Sequence, residues 1–319
     1  MSAINLVFEM NFTVFAVFAA LLITEIMGSV FLIFFWDNTK KEVLEYSNPI
    51  WEVTGTFGAF WVVNSYFAYP TLLIPVARIF GVLLIIFLIL FVARNSSIAF
   101  GESITKRKWL HKKILYRIYA ISTLFVGVAV LIFLSALISG RGVNLSEGTF
   151  SFGSWISSPG SLPFVIGTLI LGVGLAPVFF SLISFRKIIL PATGLGLVMS
   201  VASYYLYSPK LVSAWIAIPI IMTVAVALLF LSDKMAKIVS NKAVFITLLS
   251  IIIFSLQFLI YPSMLGKTLS VDSVTTSGTV ASVYILMTAT GSALVSVMLA
   301  FYIMIAKRKT NRELNVRQN

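Results

Sequence analysis

The run NFTVFAVFAALLITEIMGSVFLIFFW, residues 11–36, decides the fold class of this chain. It is apolar almost throughout, and Glu25 is its one ionisable side chain. About 20 consecutive apolar residues are enough to cross the hydrocarbon core of a bilayer as a helix. The run is also too long for a signal peptide and lacks a small-residue cleavage site. It therefore predicts a transmembrane helix.

Eight further apolar runs follow the first. The nine predicted spans cover residues 11–36, 51–69, 70–94, 113–139, 161–185, 188–207, 211–232, 243–262 and 279–306. The 319 residues are 59% hydrophobic and 11% charged, whereas soluble proteins are about 45–50% apolar and about 25% charged. This composition excludes a soluble enzyme. The absence of Cys excludes a disulfide scaffold, a Cys-ligated iron–sulfur protein and a c-type haem protein.

The basic residues predict the orientation in the membrane. If the N-terminus lies outside and the spans alternate, 19 of the 23 Lys and Arg residues fall inside, and Arg94 at the end of the third span is among them. Positive charge collects on the cytoplasmic side of membrane proteins. We therefore expect a multi-pass protein of the plasma membrane with its C-terminus in the cytoplasm. The net charge of +12 is explained by this excess of Lys and Arg on the cytoplasmic side and does not indicate nucleic-acid binding.

The longest predicted outer loop divides the chain. Residues 140–160 are rich in Gly and Ser and separate four spans from five. The sequence therefore predicts an all-α polytopic membrane protein of nine transmembrane helices, built as two four-helix bundles plus one extra helix. The predicted parts are the first bundle (1–139), the outer loop (140–160), the second bundle (161–262), and the ninth helix with a basic cytoplasmic tail (263–319).

Two acidic residues stand apart from those in loops. Glu25 lies about 11 residues from the inner end of its span, or roughly 16 Å deep at ~1.5 Å per residue. Glu52 stands at the inner mouth of the second span, after a short charged loop over residues 37–50. An ionisable group inside a span is costly, which makes it a functional candidate. A proton entry path from Glu52 to Glu25 fits this pattern. Two structural interpretations fit it as well: Glu25 could be a protonated acid bonded to a neighbouring helix, and Glu52 could be an ordinary solvated acid.

Other polar residues are less informative. Arg78 is predicted about 12 Å deep from the outer side, where it could snorkel to the interface or oppose an acidic group, such as a ligand acid held by a partner. His111, the single His, falls in a basic inner loop and is not expected to ligate a metal. No catalytic or metal-binding motif is found.

Several short motifs resemble a known family, subunit II of cytochrome bd-type quinol oxidases. The motifs are Thr24-Glu25 in mid-helix, Asn48-Pro49-Ile50-Trp51-Glu52, Phe67-Ala68-Tyr69-Pro70, Phe91-Val92-Ala93-Arg94 and Gly140-Arg141-Gly142-Val143-Asn144. Their order and spacing carry the resemblance over roughly the first 185 residues. Gly28 stands where the family has a second acid, and Val53–Phe57 lacks the amide or acid residues that the family carries there. A divergent member, such as an archaeal one, would fit these departures.

The resemblance implies a role in a complex that oxidises membrane quinol and reduces oxygen to water. In that family the haems belong to the partner, subunit I, so no cofactor or metal is expected in this chain. The implied roles are scaffold, contact with membrane lipid or a structural quinone, contact with small single-span subunits, and a proton route from the cytoplasm. Thr24, Glu25 and Glu52 stand at the positions of that route, and Arg78 is a candidate counter-charge to a ligand of the partner.

Three other functions remain open. A secondary transporter would be expected to show an inverted repeat with paired broken helices, and no clear pair is found. A lipid-modifying enzyme needs a His, Asp or Cys site that the sequence lacks. An anchor subunit of another respiratory complex is the closest competitor.

Overall fold

The computed structural model describes residues 3–103, 111–207, 216–257, 263–264 and 269–318. The N-terminal half consists of α1 (Ala3–Phe34), α2 (Trp36–Ala68), α3 (Leu73–Ile79), α4 (Gly81–Ser103) and α5 (Lys112–Ser139). A short connection follows, with β1 (Val143–Asn144), β2 (Thr149–Phe150) and α6 (Phe152–Ile156). The two strands form an antiparallel pair.

The C-terminal half is also helical. It contains α7 (Ser161–Phe180), a 3-10 segment (Ile183–Ile188), α8 (Ile189–Tyr207), α9 (Ala217–Leu231), α10 (Asp233–Val239) and α11 (Lys242–Gln257). A second antiparallel pair, β3 (Ser263–Met264) and β4 (Leu269–Ser270), precedes α12 (Val271–Val274) and α13 (Gly278–Gln318). The all-α class is thus confirmed.

Each predicted span overlaps helical residues in the described part of the chain, but the number of crossings stays a prediction. In the described part of the chain, six helical segments are long and apolar enough to cross a membrane: Leu6–Phe34, Gly81–Ser103, Lys112–Ser139, Ser161–Phe180, Ile183–Tyr207 and Gly278–Phe301. Ala217–Leu231 and Lys242–Gln257 are apolar but shorter. The predicted start of the seventh span and end of the eighth lie outside the described residues.

The predicted loop at residues 37–50 is helical instead. α2 begins directly after Phe35 and runs without a break to Ala68, with Pro49 inside it. Thr39 Oγ1 donates to the carbonyl oxygens of Phe31 (3.2 Å) and Phe35 (2.9 Å), which ties the first turn of α2 to the end of α1. Charged residues do not themselves end a helix, which is why the charge pattern located this boundary wrongly.

The third predicted span differs in its register. Its helix is interrupted at Phe80, so that α4 begins at Gly81 and ends at Ser103. Arg94 was expected at the inner end of this span, among the cytoplasmic charges. It lies instead nine residues before the end of α4, or about 14 Å inside it. This shift brings Arg94 into the core.

Helix α1 is the central element of the bundle, since it packs against α2, α5, α7, α11 and α13. The closest helix pair, α7 and α8, meets through glycines. A Cβ on Gly196 would lie 2.5 Å from the backbone nitrogen of Leu171, and one on Gly174 would lie 2.6 Å from that of Thr193. Small residues permit such close approach between membrane helices. The division into two bundles stays a prediction.

The helix ends predicted to be cytoplasmic meet at one end of the molecule. Asp37 at the start of α2 pairs with Lys113 at the start of α5, 3.9 Å apart. The rings of Phe35 and Phe185 lie 4.9 Å apart. Lys242, at the start of α11, donates to the carbonyl oxygen of Phe179 near the end of α7. The alternation of helix directions is therefore consistent across these elements.

Candidate functional site

Glu25 lies at the centre of a polar cluster formed by α1, α4 and α5. Its Oε2 accepts hydrogen bonds from Arg94 Nη2 and from the Tyr119 hydroxyl, the latter at 2.8 Å. All three side chains are 0% exposed. The cluster therefore joins three helices through one carboxylate oxygen.

Arg94 changes the electrostatics expected for Glu25. A carboxyl group buried alone favours its neutral form, whereas an adjacent cation favours the ionised form. Arg94 Nη1 also donates to Asn95 Oδ1 (2.6 Å), and its guanidinium lies 5.4 Å from the Phe91 ring centroid. The geometry is thus that of a buried ion pair and not of an isolated acid.

Four buried polar atoms around this cluster have no hydrogen-bond partner among the residues that the structure describes. They are Glu25 Oε1, Arg94 Nε, Ser47 Oγ and Asn48 Oδ1. More than nine in ten buried polar groups in proteins have a partner, and bound water often supplies it. A polar cluster with several open atoms is a suitable place for internal water.

Thr24 precedes Glu25 in the chain but contacts a different helix. Its hydroxyl donates to the carbonyl oxygen of Leu21 (2.7 Å), and the Tyr46 hydroxyl lies 2.6 Å from it. Since the Thr24 proton is used on Leu21, Tyr46 is the donor of the second bond. Thr24 therefore ties α1 to α2 and has no described contact with the Glu25 carboxylate.

Glu52 occupies a different position from the one expected. It lies 16 residues into α2 instead of at a helix start, and it is exposed. One turn earlier, Asn48 Nδ2 donates to the Tyr116 hydroxyl (3.2 Å), and Tyr119 is one turn beyond Tyr116 on α5. Glu52 lies six residues, or about 9 Å, beyond Tyr46, the α2 residue that bonds Thr24. It is therefore not nearer the predicted cytoplasmic end than Glu25, and the expected order of depth is wrong because α2 begins earlier than predicted.

Arg78 lies in the short helix α3 and is exposed. Its side chain lies beside Gly148 of the connection between β1 and β2; a Cβ there would be 3.3 Å from Arg78 Nε. This contact places Arg78 at the predicted outer surface. Its role as a counter-charge to a partner's ligand stays a prediction.

The structure offers few groups that could hold a metal or a haem. His111 is exposed at the N-terminal cap of α5. Within the described ranges, no group of three His, Asp or Glu residues is close enough to bind a metal ion.

Sequence reasoning missed Arg94 and Tyr119. A buried acid requires a compensating charge, and Arg94 was one of four cations within the predicted spans, with Arg78, Lys113 and Arg117. The need for a compensating charge beside Glu25 could therefore have indicated Arg94 from the sequence. Nothing in the local sequence distinguished Tyr119 from other tyrosines.

Comparison with solved structures identifies the fold. A chain of the bd oxidase from Geobacillus thermodenitrificans superposes with a TM-score of 0.70, covering 96% of this chain and 98% of that chain at 17% sequence identity. The fold is that of a bd oxidase chain. No protein-family model matches the sequence, and no curated protein does. Together with its apolar helices, the bd oxidase fold makes this chain a multi-pass membrane protein.

Proposed function

We propose that this chain is the haem-free subunit of a bd-type quinol oxidase, corresponding to subunit II. The observation that carries the proposal is the likeness to a bd oxidase chain along nearly the full length of both proteins. The exposed position of His111 adds support, because a haem inside the bundle could not take it as a ligand. The haems would then belong to a partner subunit, as would the reduction of oxygen.

Co-purification tests this proposal directly. A tagged chain extracted in mild detergent should bring down a larger haem-bearing membrane subunit, and the complex should oxidise quinol with oxygen. A reduced-minus-oxidised spectrum of that complex distinguishes a bd-type haem set from that of another respiratory complex. Isolation of the chain as a stable, active monomer would contradict the subunit role and favour a transporter.

The second part of the proposal concerns proton transfer at Glu25. Glu25 would stand on a cytoplasmic proton route toward the partner, with Thr24 and Glu52 in supporting positions. The burial of Glu25 among polar groups with open hydrogen-bond capacity favours this role. Its ion pair with Arg94 favours a structural role instead. The two roles predict opposite effects of Glu25→Gln, which are set out in the Discussion.

We also propose that a structural lipid or quinone contacts this chain. An apolar cavity of about 160 Å³ lies among α1, α2, α3 and α5, with Phe12, Trp61 and Tyr69 in its wall. Trp61 Nε1 and the Tyr69 hydroxyl are buried without partners and could bond a carbonyl oxygen. Mass spectrometry of organic extracts from the purified complex should recover such a molecule in stoichiometric amount.

Small single-span subunits are a further proposed partner. They would appear as additional mass when the intact complex is measured by mass spectrometry.

A further inference from the structure

A chain of polar side chains connects Glu25 to the predicted cytoplasmic end of α4. The Tyr119 hydroxyl donates to Glu25, and Ser47 on α2 lies near that hydroxyl. Asn48 follows Ser47 and donates to the Tyr116 hydroxyl at 3.2 Å. These contacts follow the seam between α2 and α5.

An acidic residue lies at the end of this chain. The Tyr116 ring packs on Gly101 of α4, where an added Cβ would lie 3.2 Å from Cζ, the ring carbon that bears the hydroxyl. Glu102 is the next residue, is exposed, and acts electrostatically on the Tyr116 hydroxyl. It lies eight residues beyond Arg94 on α4, or about 12 Å closer to the helix end.

The open hydrogen-bond capacity lies along the same seam. Ser47 Oγ lies beside the Tyr119 hydroxyl. Asn48 Oδ1 near Tyr116 and Glu25 Oε1 at the buried end of the seam have no hydrogen-bond partner among the described residues. A buried water typically makes about three hydrogen bonds to groups of this kind. Water at these atoms would join Tyr116, Tyr119 and Glu25 into one hydrogen-bonded chain.

We infer that Glu102 is the surface acid that delivers protons to Glu25, through Tyr116, Tyr119 and bound water. Glu102 releases a proton to the chain, each hydroxyl or water accepts one proton and releases another, and the last one reaches Glu25. One proton moves in each passage, and no electron is transferred. This inference rests on the proton role proposed for Glu25. It replaces Glu52 as the entry, because Glu52 lies six residues beyond Tyr46, the α2 residue that bonds Thr24, and so does not stand between Glu25 and the predicted cytoplasmic end.

The test uses the intact complex with its haem-bearing partner. Quinol-driven oxygen consumption is measured for Glu102→Gln, Tyr116→Phe and Tyr119→Phe, with haem content as the check on assembly. Glu42→Gln is the matched control, because Glu42 is an exposed acid at the same end of the molecule. Loss of a positioned proton-transfer group slows catalysis by about 100-fold or more, so we expect a slowing of at least about tenfold in the three variants even where water substitutes in part. Glu42→Gln should match the wild type.

Two further readouts exclude a merely structural effect. A small diffusible proton donor, imidazole, should restore turnover in Glu102→Gln and leave Tyr119→Phe slow. Hydroxyl-radical footprinting should label Tyr116 and Tyr119 despite their burial, because radicals form from bound water. Wild-type turnover in Glu102→Gln and Tyr119→Phe, with a slow Glu25→Gln, would overturn this entry and leave the proton role of Glu25 standing. Wild-type turnover in Glu25→Gln as well would remove that role too.

Discussion

Arg94 on α4 donates a hydrogen bond to Glu25 on α1, and neither side chain is exposed. The two residues are 69 positions apart in sequence, and each would be an uncompensated charge without the other. The pair therefore has two consequences that can be tested separately, one for the chemistry of Glu25 and one for stability.

Glu25→Gln separates a proton carrier from a structural acid. Gln keeps the shape and can still accept from Tyr119, but it cannot carry a proton. If Glu25 relays protons, the assembled variant should slow quinol-driven oxygen reduction without losing haem or partner. If Glu25 is structural, turnover should persist in Glu25→Gln, and assembly should fail in Glu25→Leu. Oxygen consumption and haem-to-protein ratio, measured on both variants, distinguish the two cases.

Removing Arg94 alone should be strongly destabilising. Arg94→Gln leaves the Glu25 carboxylate buried without its cation, and breaking a buried pair in this way costs about 3–5 kcal/mol. The double variant Glu25→Gln with Arg94→Gln should recover much of that loss, because no charge is then left unpaired. Thermal unfolding in detergent measures both. Lys113→Gln, which breaks the exposed pair with Asp37, is the control and should change stability by less than about 1 kcal/mol.

The contact of α7 with α8 should tolerate no side chain at Gly196. A Cβ at this position would meet the backbone of Leu171, so Gly196→Ala should lower stability by about 1–3 kcal/mol through overpacking. Gly194 lies on the same helix, and an added Cβ there would meet nothing within 4 Å. Gly194→Ala should therefore be neutral or slightly stabilising. Equal melting temperatures for the two variants would contradict the packing account.

The predicted orientation can be tested by labelling, because the chain contains no Cys. Lys41 and Glu147 are both exposed and fall on opposite predicted sides of the membrane. In intact cells, a membrane-impermeant maleimide should label Glu147→Cys, whereas Lys41→Cys should require permeabilised cells. The reverse pattern would invert the topology and place the proposed proton entry at Glu102 on the wrong side.

The sequence by itself determined the solvent and the class of the fold. Nine apolar runs and few charges require lipid around the helices, and the structure has a helix at each run because a spanning backbone must satisfy its hydrogen bonds internally. The sequence also singled out Glu25, since one acid in a long apolar run is conspicuous in any register.

Only the tertiary structure decided which groups Glu25 meets. Helix α4 continues past the predicted end of its span to Ser103 and so holds Arg94 in the core, while the early start of α2 moves Glu52 away from the predicted cytoplasmic end. Hydropathy is nearly uniform along such helices and carries little information on register, so the sequence could predict a number and a direction of spans but not where the helices break. The partners of a buried charge follow from register, which long-range packing fixes.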